Sequence, residues 1–203
     1  MSEKRLGMLL DLSLCIGCNA CVVACKQENA VPLTCFNTWI ESWDAKSESG
    51  VRRVNMPKLC NHCEDAPCVR VCPTGASYKA EDGTVQVDPE KCIGCKYCMA
   101  ACPYQARYQL ESGEVEKCTF CHHRSSEGLL PACVATCVTK ARIFGDLNDP
   151  DSDISKKLAE KGGEALYADL GLNPSVFYIG LSETNAMPVA SAVHRGGNVV
   201  KPY

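Results

Sequence analysis

Sixteen of the seventeen cysteines fall into four short runs, and in every run three residues separate the last two cysteines. Group I is "CIGCNACVVAC" (Cys15, Cys18, Cys21, Cys25) and group II is "CNHCEDAPCVRVC" (Cys60, Cys63, Cys68, Cys72). Group III is "CIGCKYCMAAC" (Cys92, Cys95, Cys98, Cys102), and group IV runs from Cys118 and Cys121 to Cys133 and Cys137. The first gap is always two residues; the middle gap is two, four, two and eleven, where a loop can lengthen without disturbing either end. The constant last gap puts the third and fourth cysteines at i and i+4, on one face of a helix. The residues between them ("VVA", "VRV", "MAA", "VAT") are short and mostly apolar. Each group is therefore expected to be a loop followed by a short helix, which Pro73 and Pro103 end in groups II and III.

Three chemistries use thiols at this density. Disulfides suit short secreted chains with even counts. This chain has 203 residues, an odd count, and a start ("MSEKRLGMLL") without the extended apolar region of a signal peptide. Zinc takes pairs of C-x-x-C knuckles but gives no reason for an asymmetric fourth ligand, and it remains the alternative. Iron–sulfur clusters also take four thiolates. Their bacterial run is C-x2-C-x2-C-x3-C-P, in which the fourth cysteine ligates the other cluster of a pair. Group III matches that run through Pro103. The expectation is four 4Fe–4S clusters held by sixteen thiolates.

Groups II and III are joined by "TGASYKAEDGTVQVDPEK", whose Asp82-Gly83 between strand-like runs signals a hairpin. They are expected to form a self-contained pair, leaving groups I and IV as the other. The expected ligand sets are, first, Cys15, Cys18, Cys21 with Cys137, and second, Cys118, Cys121, Cys133 with Cys25. The third is Cys60, Cys63, Cys68 with Cys102, and the fourth Cys92, Cys95, Cys98 with Cys72. Pairing of I with II and of III with IV stays open.

Strand-like "LGMLLDL", "TVQVD", "ARYQL", "EVEK" and "ARIFGDL" flank the groups. The fold class expected is α+β, with two interleaved ferredoxin-like modules and internal repetition. Residues 1–57 and 104–145 form the outer module, 58–103 the inserted one, and 146–203 a cysteine-free C-terminal extension. The extension carries a helix in "DISKKLAEKGGEALYADLG" and a strand in "SVFYIGL"; Phe177, Tyr178 and Tyr203 suit contact with a partner. Only 6% of residues are aromatic, so the metal centres are expected to replace much of the core and folding to depend on them.

A net charge of −3 gives no general attraction to nucleic acid, and no apolar run approaches the ~20 residues of a membrane-spanning helix. Lys26, Arg70, Lys91, Lys96, Lys117 and Lys140 lie beside cluster cysteines and are candidates for raising reduction potentials, or are solvated surface charges. Cys35 reads as a structural thiol. His62, His122 and His123 adjoin groups that already have four thiolates, so they are not expected to ligate. No dinucleotide loop and no nucleophile–base arrangement is present, so the chain is expected to conduct electrons rather than catalyse.

"DLSLCIGCNACVVACKQEN", "LCNHCEDAPCVRVCPTGASY" and "KCTFCHHR…PACVATC" closely resemble the four-cluster iron–sulfur (B) subunit of membrane-bound molybdopterin oxidoreductases. The resemblance covers roughly residues 5–150 and all sixteen ligand positions, and is strongest to polysulfide and thiosulfate reductase members. It implies an electron-transfer subunit between a molybdopterin-containing catalytic subunit and an integral membrane quinone-binding subunit. It further implies that the group I and IV pair faces the catalytic subunit, and the group II and III pair the membrane. Export on a partner's twin-arginine signal to the periplasmic face of the bacterial inner membrane is also implied. A free polyferredoxin serving soluble enzymes is the competing expectation.

Overall fold

A computed structural model describes residues 4–47 and 50–184. Its elements in chain order are β1 (Leu6–Asp11), α1 (Ala20–Glu28), β2 (Thr38–Ser47), β3 (Gly50–Leu59) and α2 (Pro67–Arg70). There follow β4 (Ser77–Lys79), β5 (Val85–Val87), α3 (Tyr97–Ala100), β6 (Arg107–Gln109), β7 (Val115–Lys117) and α4 (His122–Ser125). The last are α5 (Ala132–Ala135), β8 (Arg142–Asp146), α6 (Asp153–Lys161) and β9 (Val176–Ile179). The architecture is α+β, built from short elements.

β1 is apolar along almost its whole length because it is the middle strand of a three-stranded sheet and buried on both faces. It pairs antiparallel with β8 (Leu6 opposite Asp146) and parallel with β9 (Met8 opposite Val176). β9 and α6 belong to the C-terminal extension. Ile154 of α6 packs fully buried beside Gly145 of β8, and Tyr178 of β9 is buried with its hydroxyl donating to the Pro57 carbonyl at 3.0 Å. Tyr178 therefore serves the chain's own core, not a partner surface; Tyr203 lies outside the described residues. α6 begins where the Ser152 hydroxyl accepts from the Ser155 amide (3.2 Å) and ends at Gly162, shorter than "DISKKLAEKGGEALYADLG" suggests.

Three two-stranded hairpins complete the sheet structure. β4–β5 turns at Asp82-Gly83, as the sequence indicates, and β6–β7 repeats its geometry. In both, the glycine amide returns to a carbonyl three residues back, at 3.0 Å (Gly83 to Ala80, Gly113 to Leu110). The long β2–β3 hairpin was not expected from the sequence. Its ten paired positions fill the space between groups I and II, and Trp39, Val54, Met56 and Leu59 turn inward to the core.

The short helices differ from expectation in one respect. Only α1 carries both its third and fourth cysteines, Cys21 and Cys25. In the other groups the helix is a single turn bearing the third cysteine (Cys68, Cys98, Cys133) and closes before the fourth. The fourth amide instead bonds three residues back, Cys72 to Val69, Cys102 to Met99 and Cys137 to Val134. Such tightening ends a helix. Val138 follows Cys137 where Pro73 and Pro103 follow the others, so proline alone does not set the boundary.

Helices α1 and α5, from groups I and IV, pack together, as do α2 and α3 from groups II and III. One hydrogen bond from the Leu6 amide to the Asp82 carbonyl (3.0 Å) ties the start of β1 to the β4–β5 turn.

Each fully buried side chain of β1 contributes about 1.5–3 kcal/mol. Leu10→Ala is expected to destabilise the protein by about 2–5 kcal/mol, as buried leucine truncations do. Leu33→Ala, at a position 90% exposed, is expected to change it by less than about 0.5 kcal/mol. Thermal midpoints of anaerobically purified variants check this; equal midpoints would mean the central strand does not carry the core.

Candidate metal centres

The residue two places after the first cysteine is left-handed in all four groups: Gly17 (φ 70°), His62 (43°), Gly94 (67°) and Phe120 (56°). This bend turns the C-x-x-C loop back, and Cys92 with Cys95, and Cys118 with Cys121, line shared clefts. Glycine accommodates it freely, and at Gly94 a Cβ would meet the Gly113 carbonyl oxygen at 2.5 Å. His62 and Phe120 hold the same bend at a cost of about 1–3 kcal/mol each. Their rings stack on each other, centroids 3.8 Å apart, and both are buried. That stack joins the first loop of group II to the first loop of group IV.

The bends gather the sixteen thiols into local neighbourhoods that mix the groups. Cys25 of group I lines one cleft with Cys118, Cys121 and Cys133 of group IV. Cys72 of group II lines another with Cys92, Cys95 and Cys98 of group III. Cys102 lies in electrostatic range of Cys60 and Cys68, and Cys63 in range of Cys60, Cys102 and Cys68. Cys15 is in range of Cys21 and Cys137, and Cys18 sits exposed in the same loop. Cys21 is near Cys25 and Cys133, Cys60 near Cys118, and Cys68 near Cys98, so these pairs bridge neighbouring groups of thiols. Among the described residues, no three His, Cys, Asp or Glu side chains converge on a point for a single metal ion.

Burial and mutual repulsion push the crowded thiols up: Cys25 and Cys63 to about 12 and Cys102 to about 11. Metal loading must therefore displace protons from thiols that hold them firmly. Several donors already aim at sulfur. The Phe120 amide reaches Cys118 Sγ at 3.4 Å, the Ser77 amide reaches Cys72 Sγ at 3.3 Å, and the Val115 amide reaches Cys92 Sγ at 3.4 Å. Asn29 Nδ2 lies 3.6 Å from both Cys25 Sγ and Cys121 Sγ. Burial opposes ionisation of Cys72, but the bonds from Ser77 and Thr74 outweigh it and hold its thiol below the usual value.

Of the six cations that adjoin cysteines in sequence, only Lys117 is buried. Its ammonium donates to the carbonyls of Val85 and Cys118, the latter at 2.7 Å. Arg70, Lys91, Lys96 and Lys140 are exposed, and Lys26 is spent on the carbonyls of Pro32, Leu33 and Cys35. Two buried arginines escaped the sequence reading. Arg107 Nη2 donates to Ser77 Oγ (2.7 Å), while its Nε and Nη1 are buried without a hydrogen-bond partner among the described residues. Arg142 Nη2 donates to Thr38 Oγ1 (2.8 Å) beside Cys133 and Cys21. The available signal was register: Arg107 and Arg142 each stand five residues after the fourth cysteine of their group, where group II has Ser77.

The histidines are occupied in other ways. His62 Nδ1 accepts from the Val85 amide (3.0 Å), and burial, with Lys117 and Arg107 nearby, keeps the ring neutral. His122 pairs with Asp82 and His123 with Glu28. Cys35 is buried in a small apolar cluster with Val31 and Tyr108.

Thiol donors lining shared clefts, backbone amides aimed at sulfur and unpartnered guanidinium donors together fit anionic, thiolate-ligated iron–sulfur clusters. Two models of a 4Fe–4S dicluster domain match the chain, at residues 51–147 and 14–76. The tetrathionate reductase B subunit of Salmonella typhimurium is 45% identical over 192 residues, covering 92% of this chain and 77% of the relative. The polysulfide reductase B polypeptide of Wolinella succinogenes is 44% identical, covering 87% and 94%. A putative dimethyl sulfoxide reductase iron–sulfur B subunit of Halobacterium salinarum is 42% identical, covering 85% and 78%. With two dicluster domains, and so four 4Fe–4S clusters, this protein belongs to the family of iron–sulfur B subunits of molybdopterin oxidoreductases, as an electron-transfer rather than catalytic component.

Proposed function

We propose that this chain conducts single electrons through its four clusters between a molybdopterin-containing catalytic subunit and an integral membrane quinone-binding subunit. The observation that carries the reading is the exposure of the sixteen thiols. Only Cys18 and Cys95 are exposed, and each stands in a "CIGC" loop beside an exposed isoleucine (Ile16 at 64%, Ile93 at 67%). A path with two accessible ends and a covered middle suits conduction through the protein rather than exchange at every cluster.

The ligand sets of this proposal are nested. The first is Cys15, Cys18, Cys21 and Cys137, and the second Cys25, Cys118, Cys121 and Cys133. The third is Cys60, Cys63, Cys68 and Cys102, and the fourth Cys72, Cys92, Cys95 and Cys98. The shared clefts support the second and fourth sets, and the thiol neighbourhoods support the first and third. The bridging pairs Cys21 with Cys133, Cys60 with Cys118, and Cys68 with Cys98 support the order one to four. The packing of α1 on α5 and of α2 on α3 supports an outer module of residues 1–57 and 104–145 around an inserted module of 58–103.

When bound, each cluster accepts and releases one electron. The chain's own part is positioning. The left-handed loops fix the thiols, α1 spans from the first set to the second, and Cys102 and Cys72 cross between the third and fourth. Backbone amides and Asn29 solvate sulfur in place of water. No described helix is long and apolar enough to cross a membrane, so membrane attachment in this proposal comes through the partner, at the periplasmic face of the bacterial inner membrane. Residues 146–203 are the proposed contact with partners; their described part, through residue 184, also completes the core.

Anaerobic purification is expected to give a brown protein with about sixteen irons per chain, four in each of four clusters. Affinity capture from native membranes is expected to bring a molybdenum-containing subunit and an integral membrane subunit with it. A brown protein recovered alone would favour a free polyferredoxin, and a colourless zinc protein would end the iron–sulfur reading.

Cys102→Ser tests the nesting. It is expected to alter the same EPR signal as Cys63→Ser, at a loss of about a quarter of the iron, and to leave intact the signal altered by Cys95→Ser. Coincidence of the Cys102→Ser and Cys95→Ser spectra would show that each group holds its own cluster.

A further inference from the structure

We infer that Arg142, Lys117 and Arg107 are counter-cations built one into each of the three junctions between successive ligand sets, where they favour the reduced state of the clusters on either side. The inference rests on the nested sets proposed above. It gives that task to Lys117, which adjacency in sequence names, and to two arginines that adjacency passes over.

The placement follows from the neighbours of each cation. Arg142 lies beside Cys133 of the second set and Cys21 of the first. Lys117 lies beside Cys60 and Cys68 of the third set and Cys118 of the second. Arg107 lies beside Cys60, Cys68 and Cys102 of the third set and Cys98 of the fourth. All three are buried, with 3% of each residue exposed. Among the described residues, no aspartate or glutamate is bonded to any of them; their hydrogen bonds go to Thr38, Val85, Cys118, Ser77 and Met8 Sδ, and to the thiols of Cys98 from Arg107 and of Cys21 and Cys133 from Arg142.

Burying a charge without a partner costs several kcal/mol, and a guanidinium cannot escape that cost by losing its proton. An opposite charge must be close. Arg107 makes the case most directly, because Nε and Nη1 are buried donors with no acceptor among the described residues. Thiolate-ligated clusters on either side supply negative charge and sulfur acceptors. The repeat explains the origin of two of the three: Arg107 and Arg142 stand at the same position after their fourth cysteine, at the start of β6 and β8. The middle junction has no such arginine. Lys117 enters it from the end of β7, directly before Cys118 and near the His62–Phe120 stack.

The step these residues assist is the passage of one electron across a junction. No bond forms or breaks and no proton moves. The side that accepts becomes more negative by one charge, the side that donates less negative by one, and the fixed cation between them stabilises whichever side is reduced. The Coulomb energy of such a fixed charge falls as the inverse of distance, so it acts most on the clusters next to it and less on those beyond. Each cation is thus expected to act most on two clusters out of four.

Redox potentiometry followed by EPR tests this on the full chain with its clusters, alone or in its complex. Arg107→Gln is expected to lower the midpoint potentials of the third and fourth clusters more than those of the first two. Arg142→Gln is expected to do the reverse. Arg107→Lys, which keeps the charge, is expected to lie closer to the wild type than Arg107→Gln, and Arg70→Gln, at an exposed cation beside group II, to match the wild type. Unchanged potentials in both glutamine variants would overturn the inference, as would an equal shift of all four clusters. If Arg107→Gln loses iron, Arg107→Lys decides: full iron and near-wild-type potentials support the charge. Loss of iron in the lysine form as well would make guanidinium shape the requirement and overturn it. Failure of the underlying reading shows separately, in the wild-type iron content and the Cys102→Ser spectrum before any arginine is changed.

Discussion

The cost of ionising thiols that are buried side by side is the constraint on which the rest of this structure depends. Burial, and after it the charge of neighbouring thiols, raises the cost of ionising Cys15, Cys25, Cys63, Cys98, Cys102, Cys118 and Cys133. As thiols these seven hold their protons, and as thiolates they would be poorly solvated and repel one another. Iron relieves both problems, since it takes the proton's place and cancels charge. A protein with four phenylalanines and two tryptophans in 203 residues cannot rely on aromatic packing across its whole interior. The apolar sheet around β1 supplies core at one side of the chain.

The same constraint explains the local geometry. A C-x-x-C loop can present two sulfurs to one centre only if the backbone bends sharply between them, and every group uses a left-handed residue at one position to do so. Two groups spend glycine there. The other two have His62 and Phe120, and their rings stack, joining the first loop of group II to that of group IV. Strain in these two loops and the contact between them therefore have a common source. In groups II, III and IV the fourth cysteine sits just past its single-turn helix, in a tightened turn that lets it leave its own loop and stand among the thiols of another.

Much of this was legible in the sequence. The constant last gap marked the cysteine whose direction differs, Asp82-Gly83 marked the hairpin between groups II and III, and apolar runs marked β1, β5, β7 and β8. What escaped did so for physical reasons. β2 and β3 interleave charged and polar residues ("WIESWDAKS", "GVRRVNMPK") because much of the hairpin faces solvent, so its strand signal is weak over most of its length. Tyr178 looked like a surface aromatic in a tail because nothing local shows that β9 returns to pair with β1. Arg107 and Arg142 were passed over because proximity to a cysteine in the chain is a poor guide to proximity in space. Lys91 and Lys96 are close in sequence and exposed, whereas the two arginines are five residues away and buried among thiols.

The central claim is that four clusters are held by ligands exchanged between nested groups. An anomalous difference map collected at the iron absorption edge from anaerobically grown crystals tests it most directly. The account predicts four compact iron peaks in sequence, the second touching Cys25 together with Cys118, Cys121 and Cys133, and the third touching Cys102 together with Cys60, Cys63 and Cys68. A peak that joins Cys25 to Cys15, Cys18 and Cys21, or peaks of single-atom size that vanish at the iron edge, would contradict it.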